Sequence, residues 1–257
     1  MDATETEQRY LDELLVAMRS PCVESLSPGG LSEVFAREFR ATLLIHHYFL
    51  KAPLATSSFE AAYVRAAQAA GHHVEVAPEG GRFWDVRIDG LKVSLKSSGA
   101  AGLKDRTLHV SKLCEAAWIQ DMRGAAQREE RTKALFQEYT DAVDGIVQLR
   151  FFRKRAFYEL VRIPGTILRQ VADVPRAAFA PDGPSIGIPV GKNPPDFTLK
   201  LDRSDAKVTL AGINKDVCDV LGSWQLDDAT ELNASPSSDA QETALCKQGV
   251  LQFALSG

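Results

Sequence analysis

Cysteine is scarce in this sequence and shows no spacing typical of a metal site or a disulfide framework. Four cysteines are spread over 257 residues, and no C-x-x-C pair occurs. The sequence also lacks an apolar run of membrane-spanning length, and its first residues are acidic, unlike those of a signal peptide. We therefore expect a cytoplasmic protein with reduced thiols, no zinc cluster and no membrane partner.

An excess of positive charge is missing as well. Lysine and arginine total 30 against 34 aspartates and glutamates, which gives a formal net charge of −4. This balance argues against a protein that coats nucleic acid through bulk charge, but it is compatible with an enzyme that has a locally basic cleft. Neither G-x-x-x-x-G-K-[ST] nor G-x-G-x-x-G occurs, so no nucleotide cofactor is expected.

The most informative stretch that is present, residues 82–98, predicts a β-hairpin. Asp89 and Gly90 form a two-residue turn signal between two alternating segments. Folding the chain at this turn pairs Val86 with Val93, and it places all apolar side chains on one face because successive side chains alternate. That apolar face contains Trp84, Val86, Ile88, Leu91, Val93 and Leu95.

The opposite face of this hairpin gathers three groups with complementary chemistry. Asp85 is expected directly across from Ser94, and Lys96 lies two residues further along the same face. A carboxylate binds a hard divalent cation, and a nearby ammonium group orients water and offsets negative charge. These groups suit phosphodiester hydrolysis, although an amphipathic hairpin with an outer salt bridge is the alternative interpretation. Asp89 is a rival aspartate, but the turn places it at the far end of the hairpin from Lys96.

Apolar spacing around the hairpin predicts an α/β fold with a mixed central sheet flanked by helices. The segments predicted as helices are residues 5–20, 31–51, 59–70, 109–140 and 166–171. The segments predicted as further strands are residues 73–76, 146–152, 156–163, 197–201, 206–210 and 250–255. A polar stretch, residues 227–243, is predicted to be a loop.

The order helix, three strands, helix and two strands over residues 59–163, together with Asp85 and Lys96, resembles the PD-(D/E)xK nuclease superfamily. In that superfamily an aspartate on one strand is followed by acid-x-lysine on the next, and here the lysine lies eleven residues after the aspartate. The acid position is occupied by Ser94. This variant is similar to type II restriction endonucleases with a non-acidic residue there, a Lys-Ser/Thr-Ser/Thr step, and a replacement carboxylate from the following helix.

The resemblance implies a Mg²⁺-dependent endonuclease that hydrolyses phosphodiester bonds in double-stranded DNA at specific sequences. Glu115, on the helix predicted after the hairpin, is the candidate replacement acid, and Glu60 resembles the accessory glutamate on the first helix. Asp85, Glu115 and the main-chain carbonyl of Leu95 would bind one Mg²⁺, and Glu60 would reach a second ion through water.

Two further roles follow from the same resemblance. Lys96 would position or deprotonate the attacking water, and Ser94 would act as a hydrogen-bonding residue because no histidine partner is evident. The implied organisation is an N-terminal helical segment (1–55), a catalytic core (56–165) and a β-rich DNA-recognition region (166–257).

Partners and alternatives complete these expectations. A homodimer is expected, because cutting both strands of a palindrome favours two-fold symmetry, and the N-terminal helices are one source of its interface. A repair or recombination nuclease and a non-catalytic DNA-binding module are the alternative functions. Candidate phosphate contacts are Arg150, Arg153, Lys154 and Arg155. Candidate base contacts are Lys192, Asn193, Lys200, Arg203, Lys207, Asn214 and Lys215.

Overall fold

A seven-stranded mixed sheet forms the centre of the protein in our computed structural model, which describes residues 3–50 and 52–226. Its strands are β1 (Cys22–Leu26), β2 (Val74–Val76), β3 (Val86–Ile88), β4 (Leu91–Ser98), β6 (Gly145–Phe152), β7 (Phe157–Pro164) and β11 (Asp219–Leu226). They lie in the order β1-β11-β7-β6-β4-β3-β2. The β4–β6 pair is parallel, and the other pairs in this sheet are antiparallel.

A second sheet of four antiparallel strands accompanies the first. It contains β5 (Thr107–Glu115), β8 (Ser185–Val190), β9 (Phe197–Asp202) and β10 (Lys207–Asn214), in the order β5-β10-β9-β8. Burial alternates along β8 and β9, as expected for a sheet with one face on the core and one face in water.

The described residues form five α-helices. They are α1 (Glu5–Met18), α2 (Glu33–Leu50), α3 (Thr56–Ala69), α4 (Ala125–Ala142) and α5 (Gly165–Arg169). Helix α1 begins at a capping box in which Thr4 and Glu7 satisfy each other's backbone N–H groups. No helix among the described residues is both long and apolar enough to cross a membrane.

Two apolar cores lie on opposite faces of the large sheet. On one face, α2 and α3 pack against the strands, with Phe39, Phe59 and Leu95 fully buried. On the other face, α4 and the second sheet enclose a core that includes Tyr139 and Ile146. Strand β6 is buried along its whole length, because it lies at the centre of the large sheet with both faces covered.

The structure confirms the predicted hairpin and its register. Val86 pairs with Val93, and Ile88 pairs with Leu91. The turn residues Asp89 and Gly90 have φ angles of 48° and 92°, the left-handed conformation that an Asp-Gly turn favours. The helices predicted over residues 5–20, 31–51 and 59–70 correspond to α1, α2 and α3.

The helix predicted over residues 109–140 is wrong in its first half. Residues Thr107–Glu115 form β5, a short 3₁₀ helix follows at Ala117–Ile119, and α4 begins only at Ala125. The first half adopts a strand because it pairs with β10, about a hundred residues later in the chain. Strands β1, β8 and β11 were not predicted, and the predicted loop at 227–243 and strand at 250–255 lie outside the described residues.

The three predicted sequence ranges do not correspond to separate sheets. Strands β1 and β11, from the first and third ranges, pair with each other in the large sheet. Strand β5, from the middle range, pairs with β10 in the second sheet. The division into a helical segment, a core and a recognition region therefore stays a prediction about function.

Candidate active site

Asp85 lies immediately before β3, where the backbone is held from both sides. Its N–H donates to the carbonyl of Val93 at 2.9 Å, and its carbonyl accepts from the N–H of Ala77 at 2.9 Å. Two residues earlier, Phe83 has a φ of 79°, which is strained for a bulky residue. The ring of Phe83 meets that of Tyr139 edge-on at 5.1 Å, a contact that supports this strained approach to Asp85.

The carboxylate of Asp85 meets the side chains of Ser94 and Lys96, with which the hairpin register predicted it to share a face. Its Oδ2 accepts from the hydroxyl of Ser94 at 3.1 Å and from the N–H of Leu95 at 2.5 Å. The ammonium Nζ of Lys96 lies 3.7 Å from the same oxygen. The side chains of Asp85 and Lys96 remain 31% and 25% exposed, so the cluster is open to solvent.

The carbonyl oxygen of Leu95 is directed toward Asp85. The N–H and C=O of one strand residue point to the same side of the strand, and the N–H of Leu95 bonds the Asp85 carboxylate. Strand β3 begins only at Val86, which pairs with Val93, so it offers no ladder partner to Leu95 on that side. A main-chain oxygen and a carboxylate therefore converge beside the Lys96 ammonium.

Glu60 shares the electrostatic field of this cluster. It lies in the second turn of α3, whose first residue Thr56 contacts Ser97 across 3.3 Å between hydroxyl oxygens. Burial raises the pKa of the Glu60 carboxyl, repulsion from Asp85 raises it further, and Lys96 acts in the opposite direction. Two carboxylates and one ammonium group thus lie close enough to influence one another.

Glu115 occupies a different setting from the predicted one. The expectation that it lies on a helix is wrong, because it is the last residue of β5 in the second sheet. Its exposed carboxylate pairs with Lys112, and this pairing lowers the pKa of Glu115. The charged group acting on Glu115 is therefore Lys112, and not a member of the Asp85 cluster.

Asp89, the alternative aspartate, serves the turn. Its carboxylate contacts Nδ1 of His72 at 2.7 Å and accepts from the N–H of His73 at 2.9 Å. These bonds lower its pKa and connect the tip of the hairpin to the residues that precede β2. Asp85, at the open end of the hairpin, is the aspartate that meets Lys96.

Two buried polar residues beside the cluster were missed from the sequence. Tyr139 on α4 has its hydroxyl near Ser94, yet no group among the described residues meets that hydroxyl with hydrogen-bond geometry. Burial raises the pKa of Tyr139. Gln148 on β6 pairs in register with Lys96 on β4. Gln148 stands in an apolar run, where a lone polar side chain was the signal, whereas Tyr139 is flanked by polar residues and nothing in the sequence marked it.

Several basic residues proposed as DNA contacts are occupied by acidic partners. Arg150 is fully buried, pairs with Glu159 at 2.6 Å, and is therefore not a surface phosphate contact. The other pairs are Arg155 with Asp105, Arg203 with Asp182, Lys207 with Asp202 and Asp205, and Lys215 with Glu159. Lys154, Lys192, Asn193 and Lys200 are exposed.

Comparisons with known proteins find type II restriction enzymes. A family model described as SmaI, type II site-specific deoxyribonuclease, matches residues 23–226. The type II restriction enzyme SmaI of Serratia marcescens is 25% identical over 233 residues, which cover 84% of this chain and 91% of that protein. A solved restriction endonuclease in complex with substrate DNA aligns over 95% of this chain and 93% of that chain, at 12% identity and a TM-score of 0.33.

The family match spans most of the chain and includes the hairpin with Asp85, Ser94 and Lys96. It also includes both sheets, from β1 to the end of β11. It therefore favours restriction over the two alternatives, a repair nuclease and a non-catalytic module. The chain belongs to the SmaI family of type II site-specific deoxyribonucleases.

Proposed function

We propose that Asp85, Lys96 and Glu60 form the active site of this endonuclease, and that Mg²⁺ is its cofactor. The observation that carries the proposal is the approach of the Lys96 ammonium to within 3.7 Å of the Asp85 carboxylate, at the open end of the hairpin. Phosphodiester hydrolysis needs an anionic oxygen site for a metal and a cation beside the attacking water. This cluster offers both.

The donor atoms fit a small hard cation. The Ser94 and Leu95 hydrogen bonds both go to Oδ2 of Asp85, so its Oδ1 is available, and the Leu95 carbonyl faces the same space. No group of three or more His, Cys, Asp or Glu side chains converges among the described residues. Mg²⁺ keeps several waters and needs only one or two carboxylates, so Asp85, Leu95 and Glu60 suffice.

When bound there, Mg²⁺ would lower the pKa of a coordinated water and neutralise charge on the scissile phosphate. The protein residues have complementary tasks. Lys96 orients the attacking water and offsets the charge that develops on the phosphate. Ser94 and the N–H of Leu95 fix the rotamer of Asp85, so that its free oxygen points outward. We assign the second carboxylate to Glu60 instead of Glu115, because Glu60 responds to the charges of Asp85 and Lys96.

The chain offers a matched test, since two aspartates lie on one hairpin. Asp85→Asn should reduce cleavage of plasmid or phage DNA in Mg²⁺ by about 10³-fold or more, the equivalent of several kcal/mol of lost transition-state stabilisation. Asp89→Asn should retain cleavage, because Asn tolerates the left-handed turn conformation. Wild-type cleavage by Asp85→Asn in a folded protein would refute the assignment.

We further propose that the outer face of the second sheet contacts DNA. Exposed Lys200 on β9 pairs in register with Gly187 on β8 and with Thr209 on β10. The side chain of His109 on β5 of the same sheet is also exposed, and its partial burial together with the charge of Lys200 lowers its pKa. Because Gly187 and Thr209 are small, they leave room beside Lys200 for a nucleic acid backbone or base edge.

The contribution of this face is measurable through salt. Lys200→Ala should weaken DNA binding and reduce the slope of log K against log salt by about one, as expected for one lost phosphate contact. Arg131→Ala is the control, because Arg131 is an exposed cation on α4, outside the second sheet, and is not among the candidate DNA contacts. Equal slopes for wild type and Lys200→Ala would remove Lys200 from the interface.

We also propose a homodimer formed through the N-terminal helices. Helix α1 has an unusually exposed apolar surface, and two-fold symmetry suits cleavage of both strands. The exposed apolar residues of α1 are Tyr10, Leu11, Leu15, Val16 and Met18. Leu15→Glu should produce a monomer in sedimentation equilibrium and should nick supercoiled plasmid in place of linearising it. An unchanged molar mass would place the interface elsewhere.

A further inference from the structure

We propose that Gln148 positions Lys96, with its carboxamide oxygen as the acceptor for the Lys96 ammonium. The proposal rests on the proposed catalytic role of Lys96 and adds a residue to which no role has been assigned. Gln148 does not touch the Asp85 carboxylate, so it acts through Lys96.

The strand register brings the two residues together. Lys96 on β4 and Gln148 on β6 are direct partners in the parallel β4–β6 pair. Register partners on neighbouring strands, about 4.8 Å apart, have side chains on the same face of the sheet. A lysine side chain has four methylene groups, so its ammonium reaches a glutamine carboxamide at this separation.

The carboxamide of Gln148 is buried and half satisfied. Gln148 is 1% exposed, and its Nε2 donates to the carbonyl of His109 on β5 at 2.8 Å. A carbonyl accepts only from a donor, and this identifies which end of the amide is nitrogen. The oxygen Oε1 is left without a hydrogen-bond partner in the part of the chain that the structure describes.

Within residues 3–50 and 52–226, the ammonium of Lys96 has no acceptor at hydrogen-bond distance. It has three N–H donors, but its distance to Oδ2 of Asp85 is 3.7 Å, beyond hydrogen-bond length. That oxygen already accepts from Ser94 and from Leu95. Among the described residues, the Lys96 ammonium is thus a donor without an acceptor, and Oε1 of its register partner Gln148 is an acceptor without a donor. A buried acceptor that stays unpaired is costly.

A neutral acceptor suits this position. A carboxylate beside Lys96 would compete with Asp85 for the ammonium, whereas the Gln148 amide holds it without adding negative charge. The same amide is anchored to β5 through His109, whose side chain is on the exposed face of the second sheet. Gln148 thus fixes Lys96 relative to both sheets.

The test compares two substitutions of similar length under single-turnover conditions with saturating enzyme. Gln148→Met removes both polar atoms, and we expect the cleavage rate to fall about 10-fold to 100-fold, with DNA affinity within about twofold of wild type. Gln148→Glu keeps an oxygen acceptor but adds a charge that competes with Asp85 and loses the donor to the His109 carbonyl, so we expect its rate to fall by at least about 10-fold as well. Thr132→Val is the control. It removes a different buried polar group that has no hydrogen-bond partner among the described residues, the hydroxyl of Thr132 on α4, and it leaves the β4–β6 pair intact.

A double-mutant cycle separates this proposal from the one on which it rests. Unfolding in urea, in the presence of chelator, is measured for wild type, Gln148→Met, Lys96→Met and the double variant. We expect non-additive midpoints, and no further loss of rate when Gln148→Met is added to Lys96→Met. Additive midpoints, a Gln148→Met rate equal to that of Thr132→Val, or a wild-type rate for Gln148→Glu would overturn the positioning role. Wild-type cleavage by Lys96→Met would instead overturn the proposed active site.

Discussion

Ser94 donates its hydroxyl proton to Oδ2 of Asp85 across 3.1 Å, from the strand position where PD-(D/E)xK nucleases have their second acid. Ser94 is only 1% exposed, so this hydrogen bond is shielded from water. A second carboxylate at this position would face Asp85 at close range, with its charge repelled by that of Asp85. At this position the serine donates a hydrogen bond to Asp85, where a carboxylate would repel it.

Ser94→Asp tests this relationship. In chelator, the added carboxylate should destabilise the protein by about 2–4 kcal/mol, because a buried charge is placed beside a like charge. Added Mg²⁺ should recover part of this loss, since a cation that binds the folded state alone stabilises it. The measurement is urea unfolding with and without Mg²⁺. Ser94→Ala is the control, and its deficit should not depend on Mg²⁺ in this way; equal Mg²⁺ responses would contradict the prediction.

Glu60→Gln should relieve repulsion within the metal-free cluster. Burial and the Asp85 charge raise the pKa of the Glu60 carboxyl in the folded state above its ordinary value of 4.5. Between 4.5 and the raised pKa, the folded chain binds more protons than the unfolded chain, so the contribution of Glu60 to stability falls as pH rises.

In chelator, Glu60→Gln should therefore unfold at a higher urea concentration than wild type at pH 7. The difference should shrink as the pH falls and disappear at about pH 3, where the carboxyl is protonated in both states. The effect should be modest because Glu60 is partly exposed. A difference that grows toward low pH would show that the sign is wrong.

The buried pair of Arg150 and Glu159 predicts a large and asymmetric effect. Arg150 also donates to the carbonyls of Lys104 and Thr107, so it anchors the start of β5. Arg150→Met should destabilise the protein by about 3–5 kcal/mol, because Glu159 is left as a buried charge with Lys215 as its remaining partner.

Arg150→Met combined with Glu159→Gln should recover part of that loss, because the uncompensated charge is removed. Lys154→Ala is the control, and it should change stability by no more than about 0.5 kcal/mol, since Lys154 is exposed. The free energy of unfolding of each variant is measured by thermal or urea unfolding. A deficit for Arg150→Met no larger than that of Lys154→Ala would mean that the pair contributes little.

The hairpin was predictable because its information is local. Asp89 and Gly90 set the turn, and the turn sets the pairing of Asp85 with Ser94 and the position of Lys96. The setting of Glu115 was not predictable, because Lys207, its partner in the second sheet, lies far along the chain. Apolar spacing at 110, 113 and 114 is compatible with a helix or a strand, and the distant pairing decides.

Burial of polar groups was equally hidden from the sequence. Arg150 was predicted as a phosphate contact because it stands near other basic residues, yet its strand is the central one and it is fully buried. Gln148 lies in the same apolar run and was passed over as part of a core strand. Its value as a site residue depends on the parallel register with Lys96, which is a property of the assembled sheet.

Gly90→Ala tests whether the turn is held by backbone conformation alone. Gly90 has a φ of 92°, and an added Cβ would meet nothing within 4 Å, so any cost is conformational strain and not a clash. We expect a loss of about 1–2 kcal/mol in the free energy of unfolding. Gly102→Ala is the matched control, because its φ lies outside the left-handed region and its Cβ position is also open. Cleavage at saturating DNA should be unchanged in both variants, since Gly90 is at the opposite end of the hairpin from Asp85; equal unfolding midpoints would show that the turn tolerates a side chain.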